Sequence, residues 1–395
     1  MANGDNNNMA ARSYSKEFKE LLKAVFAVRS YFGDFFGGEL EAIDGITNKD
    51  TAFSVKTSDV ACVVTKGSLE EGGTPAYNTG ANVGMGTGTG STSRFGNRTE
   101  VIYVDTDVPY TWDWVFHEGI DRHTVNNDFE SAVADRLDLQ AQKKTINFNA
   151  AHSAFISNSA EIVLGTEAIP TAETVLALFN ALNKAFVNAG AVGTKVAKVT
   201  PDVYAAIVDT KLMTTEKGSK VNIDRNEVEM FKDFVIEQVP ESAFQSIDCV
   251  YAYITGVGKA FTGIETARTI ESEDFDGVAL QGAGKAGEWI LPDNKAAVAK
   301  VKLIPGSLTL ASEAGTNSGD TKITVTETLG SGNKYLYKVG TSVASVEYDE
   351  ALTGWSSWNG SADITAATGK ILTLVEATSD NKVRKAGTVT VTAHA

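Results

Sequence analysis

The chain has 395 residues, of which 43% are hydrophobic and 22% are charged, so it can bury a sizeable core and its length predicts two or three domains. Asp and Glu number 50 against 35 Lys and Arg, and the net charge of −15 argues against binding a phosphate backbone by bulk attraction. With only two cysteines, Cys62 and Cys249, the chain can form neither a disulfide framework nor a four-cysteine metal site. No apolar run approaches the roughly 20 residues of a membrane span, and the polar start does not resemble a secretory signal.

The first predicted element is an amphipathic helix over residues 15–36. Its apolar residues recur at spacings of three and four. They are Phe18, Leu21, Leu22, Val25, Phe26, Phe32, Phe35 and Phe36. Gly37 and Gly38 follow, and glycine is the residue that most readily ends a helix. Such a helix needs a surface to pack against, which is either the rest of its own chain or a neighbouring subunit.

A glycine-rich stretch separates two predicted strand regions, 51–65 and 100–116. It runs from residue 67 to 96, contains nine glycines and has almost no large apolar residues, so it cannot form a core by itself. A loop of this length inside a compact domain usually has a function. We therefore interpret residues 58–104 as an extended hairpin with a glycine-rich distal part.

A long helix is predicted next, from Asp128 to Phe155 with Asn127 as its N-cap. At 1.5 Å per residue it would be about 42 Å long, which is typical of a spine against which other elements pack. Beyond it the pattern is mixed α and β. The predicted elements are a helix at 171–189, a strand at 195–200, a helix beginning at Pro201, and strands at 233–239, 249–255 and 296–303.

The composition changes after Ile304-Pro305-Gly306, which is a boundary signal. Short alternating strands separated by Gly, Asn and Ser then predict an all-β sandwich over residues 304–395. Trp355 and Trp358 in this region are either core residues or a surface on which a sugar could stack. This segment carries a net charge of −2, so the net charge of −13 on the first 303 residues accounts for most of the acidity.

The sequence offers no catalytic or metal-binding motif, and we predict a protein that is not an enzyme and has no cofactor. His117 and His123 are six residues apart, whereas the zinc helix H-E-x-x-H needs a spacing of four. The three Gly-Lys pairs lack the Ser or Thr of a phosphate-binding loop, and no G-x-S-x-G elbow occurs. Asp105 and Asp107 form a carboxylate pair without a third partner, which is weak evidence for acid–base chemistry.

The order of these parts resembles the major capsid protein of tailed bacteriophages, an α+β class called the Johnson fold. Val199-Thr-Pro201-Asp-Val-Tyr204 looks like the strand-to-helix entry of its axial domain. The resemblance implies five regions: an N-terminal arm (1–50), an extended hairpin loop with flanking strands (51–104), a peripheral domain with the spine helix (105–170, plus strands from 296–303), an axial domain (171–303) and an immunoglobulin-like domain (304–395).

The resemblance also implies a function. Such a subunit assembles with itself, as pentamers and hexamers, into an icosahedral shell around double-stranded DNA, which it does not bind sequence-specifically. We expect a virion protein assembled in the host bacterial cytoplasm, unprocessed at its short arm, with a separate scaffolding protein, a portal and no membrane association. Two alternatives are an encapsulin-like compartment and a surface or tail-associated protein whose β domain binds carbohydrate.

Eight residues of the arm and hairpin are predicted to make inter-subunit contacts. They are Phe18, Leu22, Phe26, Phe32, Lys66, Gly73, Tyr77 and Arg94. Lys66 is the lysine nearest to the hairpin loop, and some members of the resembled family crosslink subunits through a loop lysine and an asparagine.

Overall fold

A computed structural model describes residues 29–38, 40–42, 51–58, 101–125, 128–210, 220–222 and 227–395. These residues form two compact units. The first unit contains the described residues of Met1–Glu39, Asn126–Lys259 and Ile290–Ala395, and the second contains those of Leu40–Val125 and Ala260–Trp289.

The described helices are α1 (Phe129–Ser159), α2 (Ala172–Asn188) and α3 (Pro201–Val208), with 3-10 helices at Gly33–Phe36, Glu241–Ala243 and Pro292–Ala297. The strands, in chain order, are β1 (Glu41–Ala42), β2 (Thr51–Ser58), β3 (Tyr103–Pro109), β4 (Trp112–Asp121), β5 (Ile162–Glu167), β6 (Lys195–Val199), β7 (Lys220–Asn222), β8 (Glu227–Phe231), β9 (Phe234–Gln238), β10 (Asp248–Ile254), β11 (Gly258–Glu271), β12 (Gly277–Ile290), β13 (Val298–Ile304), β14 (Gly306–Ser307), β15 (Leu310–Ala314), β16 (Asp320–Val325), β17 (Lys334–Gly340), β18 (Ser356–Trp358), β19 (Ile364–Thr365), β20 (Ile371–Ala377) and β21 (Val383–Thr390). None of the described helices combines the length and apolar character that a bilayer crossing needs.

A seven-stranded mixed sheet in the order β5-β13-β10-β6-β9-β8-β7 organises the first unit. All seven residues of β10 are buried, as expected for a strand covered on both faces. The helix α2 begins with a capping box formed by Thr171 and Thr174, and α3 begins with Pro201 in its first turn. Both helices contribute apolar residues to the core of this sheet.

The second unit contains a four-stranded sheet in the order β1-β11-β12-β4 and the two-stranded antiparallel ribbon β2-β3. Two glycines on β12 make room for aromatic rings on β4. A Cβ atom at Gly282 would lie 2.2 Å from the Phe116 ring, and one at Gly284 would lie 2.6 Å from the Trp114 ring. The two rings stack with centroids 6.0 Å apart, so glycine is required where they cross β12.

Residues after Gly306 form a two-sheet sandwich. One sheet has the order β14-β21-β20-β17-β18 and the other has the order β15-β16-β19. The strand β20 packs on both faces: Leu372 and Leu374 belong to the core between the sheets, whereas Val375 and Ala377 belong to a second cluster on the opposite face.

Most predicted elements of the first unit and the sandwich are confirmed, including the helices at 171–189 and from Pro201 and the strand at 249–255. The long helix is also present, but it extends to Ser159 and its N-cap is Asp128, which accepts a hydrogen bond from the Ser131 backbone N–H. Within the described part of the predicted helix 15–36, the only helical turn is the 3-10 helix Gly33–Phe36. The glycine-rich stretch lies outside the described residues.

Two groups of strands bear on the predicted domain division, which stays a prediction. The strand β13, expected to join the peripheral domain, pairs with β5 of the predicted peripheral range and with β10 of the predicted axial range. The long strands β11 and β12, which were not predicted, form a sheet with β4, although residues 171–303 were assigned to one axial domain. The helix α1 belongs to the first unit, together with the seven-stranded sheet.

Candidate assembly surfaces

The foot of the predicted hairpin carries four consecutive exposed apolar residues. Val101, Ile102, Tyr103 and Val104 are exposed by 48%, 51%, 67% and 48%, and we call them the hairpin-foot patch. Tyr103 pairs with Ser58 and Val104 with Thr57 across the β2-β3 ribbon. Since consecutive strand residues point to opposite faces, the ribbon presents apolar side chains on both of its faces.

The N-terminal half of α1 is a second exposed surface. All buried residues of this helix lie at or after Phe148. Leu137, Leu139 and Ile146 are exposed by 39%, 48% and 43% in the isolated chain. A third group of exposed apolar residues flanks α2, where Ile169 and Val192 are exposed by 84% and 92%.

The segment 29–38 is anchored inside its own chain. Phe32 is fully buried and packs edge-on against Phe244 and Tyr251. Phe35 is also fully buried, with its ring centroid 4.9 Å from that of Tyr253. The prediction that Phe32 contacts a neighbouring subunit is therefore wrong, because no part of its side chain is accessible. The other seven residues predicted to make such contacts lie outside the described residues.

A buried ion pair holds the same segment. The side chain of Lys198, on β6, is 2% exposed, and its Nζ lies 3.1 Å from Asp34 Oδ2 and also contacts Glu237. Asp34 accepts a further hydrogen bond from the Tyr253 hydroxyl at 2.9 Å. A buried cation is tolerated only when it is paired, so Asp34 binds the segment to the sheet through charge as well as packing.

Replacing Asn149 by alanine is expected to loosen this anchor. The Asn149 side chain accepts a hydrogen bond from the Tyr31 backbone N–H at 3.0 Å and donates one to the Arg29 carbonyl at 2.7 Å. Losing both leaves two partly buried backbone groups unsatisfied, which costs about 1–3 kcal/mol. Hydrogen exchange at residues 29–36 measures the effect. Unchanged exchange there would contradict it.

Among the described residues, no group of three His, Cys, Asp or Glu side chains is placed to hold a metal ion. His117 lies on β4, with Nε2 3.1 Å from the Gln281 amide, and His123 lies 3.7 Å from Asp276. Cys249 is buried, and burial together with the nearby Asp248 charge raises its thiol pKa to about 12, which keeps it protonated. Asp105 and Asp107 contact Lys56 and Ser54 across the ribbon.

The tryptophans are mostly structural. Trp114 is 8% exposed, and Trp112 donates a hydrogen bond to Glu288 at 3.1 Å. Trp358 is 6% exposed and donates its indole N–H to the Ala362 carbonyl at 2.7 Å. Trp355 is half-buried against the outer cluster of the sandwich, with the Lys338 amine 6.0 Å above its ring.

Taken together, a paired hairpin base, a long helix and a mixed sheet covered by short helices define an α+β fold, the Johnson fold of phage capsid proteins. Solved structures with this fold match over most of their length. The capsid protein of cyanophage P-SCSP1u is 10% identical with a TM-score of 0.53, and the match covers 72% of this chain and 91% of that one. The mature capsid protein of bacteriophage PhiM1 is 11% identical with a TM-score of 0.51, covering 72% and 90%. A chain from Mycobacterium phage Che8 is 12% identical with a TM-score of 0.52, covering 70% and 92%.

The C-terminal sandwich is similar to a different class of protein. Residues 313–394 match the family described as the S-layer protein SbsC C-terminal domain. This match supports an immunoglobulin-like domain at the end of the chain, following the capsid-like part. A search by sequence found no match among curated proteins.

Proposed function

We propose that this chain is the major capsid subunit of a tailed bacteriophage, which assembles with itself into an icosahedral shell around double-stranded DNA. The observation that supports the proposal most strongly is the likeness to three phage proteins, each of which is matched over at least 90% of its own length. The subunit then has a structural role and is not an enzyme.

The exposed surfaces suit such a role. A closed shell requires each subunit to contact several neighbours, and the hairpin-foot patch and the N-terminal half of α1 leave apolar residues available for those contacts. Exposed contiguous apolar surface on a folded subunit is typical of a protein interface. The net charge of −15 suits a container in which DNA must move without adhering to the wall.

Of the two alternatives, an encapsulin-like compartment shares the shell and differs in its contents. A carbohydrate-binding role for the sandwich loses one of the two tryptophans that suggested it, since Trp358 is a core residue with its indole N–H already paired. The proposal includes a scaffolding protein and a portal as expected partners. It also includes assembly in the bacterial cytoplasm.

Electron microscopy of the purified full chain, alone and co-expressed with products of its neighbouring genes, tests the proposal. We expect regular shells, or free pentamers and hexamers. Nuclease-resistant DNA inside shells produced during infection would support a capsid, whereas a single enriched protein cargo would support an encapsulin. A monodisperse monomer under every condition would overturn both the capsid and the encapsulin hypotheses.

A further inference from the structure

A buried carboxylate in the sandwich lies between a lysine amine and an asparagine amide. The side chain of Glu376, on β20, is 2% exposed. Its Oε1 accepts hydrogen bonds from Asn333 Nδ2 at 2.6 Å and from the Gly330 backbone N–H at 3.0 Å. Its Oε2 lies 3.1 Å from Lys385 Nζ. One carboxylate therefore contacts a potential nucleophile and a potential acyl donor at the same time.

The sheet brings these groups together. Glu376 is the direct cross-strand partner of Lys385 on β21 and of Tyr335 on β17. Asn333 lies in the turn immediately before β17, two residues ahead of Tyr335. Glu376 is on the face of β20 that carries Leu372 and Leu374 and packs against the other sheet, and Tyr335 is 6% exposed beside the carboxylate. The three polar groups thus meet at the end of the sandwich core, with the Glu376 carboxylate buried and the Lys385 side chain 36% exposed.

We propose that Lys385 and Asn333 become joined by an intramolecular isopeptide bond, with Glu376 transferring the protons. Glu376 accepts a proton from the Lys385 ammonium, and the neutral amine attacks Cγ of Asn333. A new Nζ–Cγ bond forms, and the Cγ–Nδ2 bond breaks. A second proton from Nζ passes through the carboxylate to the departing Nδ2, which leaves as ammonia, and the proton remaining on Glu376 then converts it to ammonium. No oxidant or other co-reactant is needed.

Such a bond would tie β21 to the loop before β17, on either side of the central strand β20. A covalent link between strands restricts the unfolded chain and resists local opening at the end of the sandwich. This is an advantage for a small domain with a limited core.

A second lysine in the chain provides an internal comparison. Lys195 Nζ lies 2.7 Å from Asn183 Oδ1 and 3.1 Å from Asp233 Oδ2. The Lys195 side chain is 10% exposed against 36% for Lys385, so the two sites differ in the carboxylate, where Asp233 is 64% exposed against 2% for Glu376. A solvated carboxylate keeps the ammonium charged and transfers protons to water, so we expect Lys195 and Asn183 to remain unlinked.

The intact mass of the denatured full chain tests the proposal. We expect a mass lower than that of the sequence by one ammonia, and a tryptic fragment that joins the peptides containing residues 333 and 385. The Lys385→Arg variant keeps the charge but lacks the amine, and should show its full sequence mass. The matched variant Lys382→Arg, whose lysine contacts Asp349, should retain the loss. Glu376→Gln should abolish or strongly slow it.

Wild-type protein with its full sequence mass would overturn the proposal, and so would a link mapped to residues 183 and 195. In that case Glu376 only fixes the loop and the lysine through hydrogen bonds. The measurement needs no assembled particle and does not depend on whether a variant folds, so its outcome is independent of the proposed shell function.

Discussion

Particles are expected to disappear when Ile102 and Val104 are both replaced by aspartate, while the subunit keeps its fold. Both residues lie in the hairpin-foot patch and are about half exposed in the isolated chain. Exposed positions tolerate charge with little effect on folding stability. If a second copy of the chain covers them in a shell, each copy must bury two unpaired carboxylates, which costs several kcal/mol per subunit. The penalty recurs at every contact of the lattice.

Val343→Asp is the matched control for this double variant. Val343 is an apolar residue of the sandwich that is 54% exposed, close to the 51% of Ile102, and it lies within residues 313–394, which match the S-layer family. Sedimentation velocity and electron microscopy report assembly, and circular dichroism reports folding. Shells formed by the double variant in normal yield would rule out the hairpin foot as an inter-subunit contact.

Local signals predicted the helices and the buried strands well. Thr171 and Pro201 mark helix starts that the structure confirms, and the continuous apolar run 249–254 is the buried interior strand β10. The long strand β12 was missed because its glycines at 277, 282, 284 and 287 are typical of turns. In the structure, Gly282 and Gly284 accept the rings of Phe116 and Trp114 from a strand more than 160 residues earlier in sequence. No local pattern contains that information.

The contacts of the candidate assembly surfaces also could not be predicted from local sequence alone. Periodicity correctly identified Phe32 and Phe35 as residues that must be covered, but it does not say by which chain, and Phe32 is covered by its own. Lys198 was predicted only as part of a strand. Its burial depends on Asp34, which lies 164 positions away, so the pair becomes visible only once the fold brings the two together.

Acid is expected to destabilise the fold through His152. This residue of α1 is 5% exposed and lies between the rings of Phe36 and Phe148, at centroid distances of 4.5 and 5.7 Å. Burial disfavours the charged imidazolium and lowers the pKa of His152 from 6.5 to about 4. In the unfolded chain the imidazole takes up its proton near pH 6.5, whereas in the folded chain it does so only near pH 4. The stabilisation is therefore complete above pH 6.5 and is lost as the pH falls towards 4.

The size of the effect follows from the difference between the two pKa values. It amounts to about 3 kcal/mol of unfolding free energy across that interval, or about 1.4 kcal/mol per pH unit. Denaturant unfolding at a series of pH values measures it, with His152→Leu as the control. Carboxylates titrate in the same range in both proteins, so the difference between the two curves isolates His152. We expect the curves to diverge as the pH falls from 6.5 to 4, with the wild type losing more stability. Parallel curves would mean that the imidazole is protonated in the folded state without cost, and that its packing between the two phenylalanines does not exclude the charge.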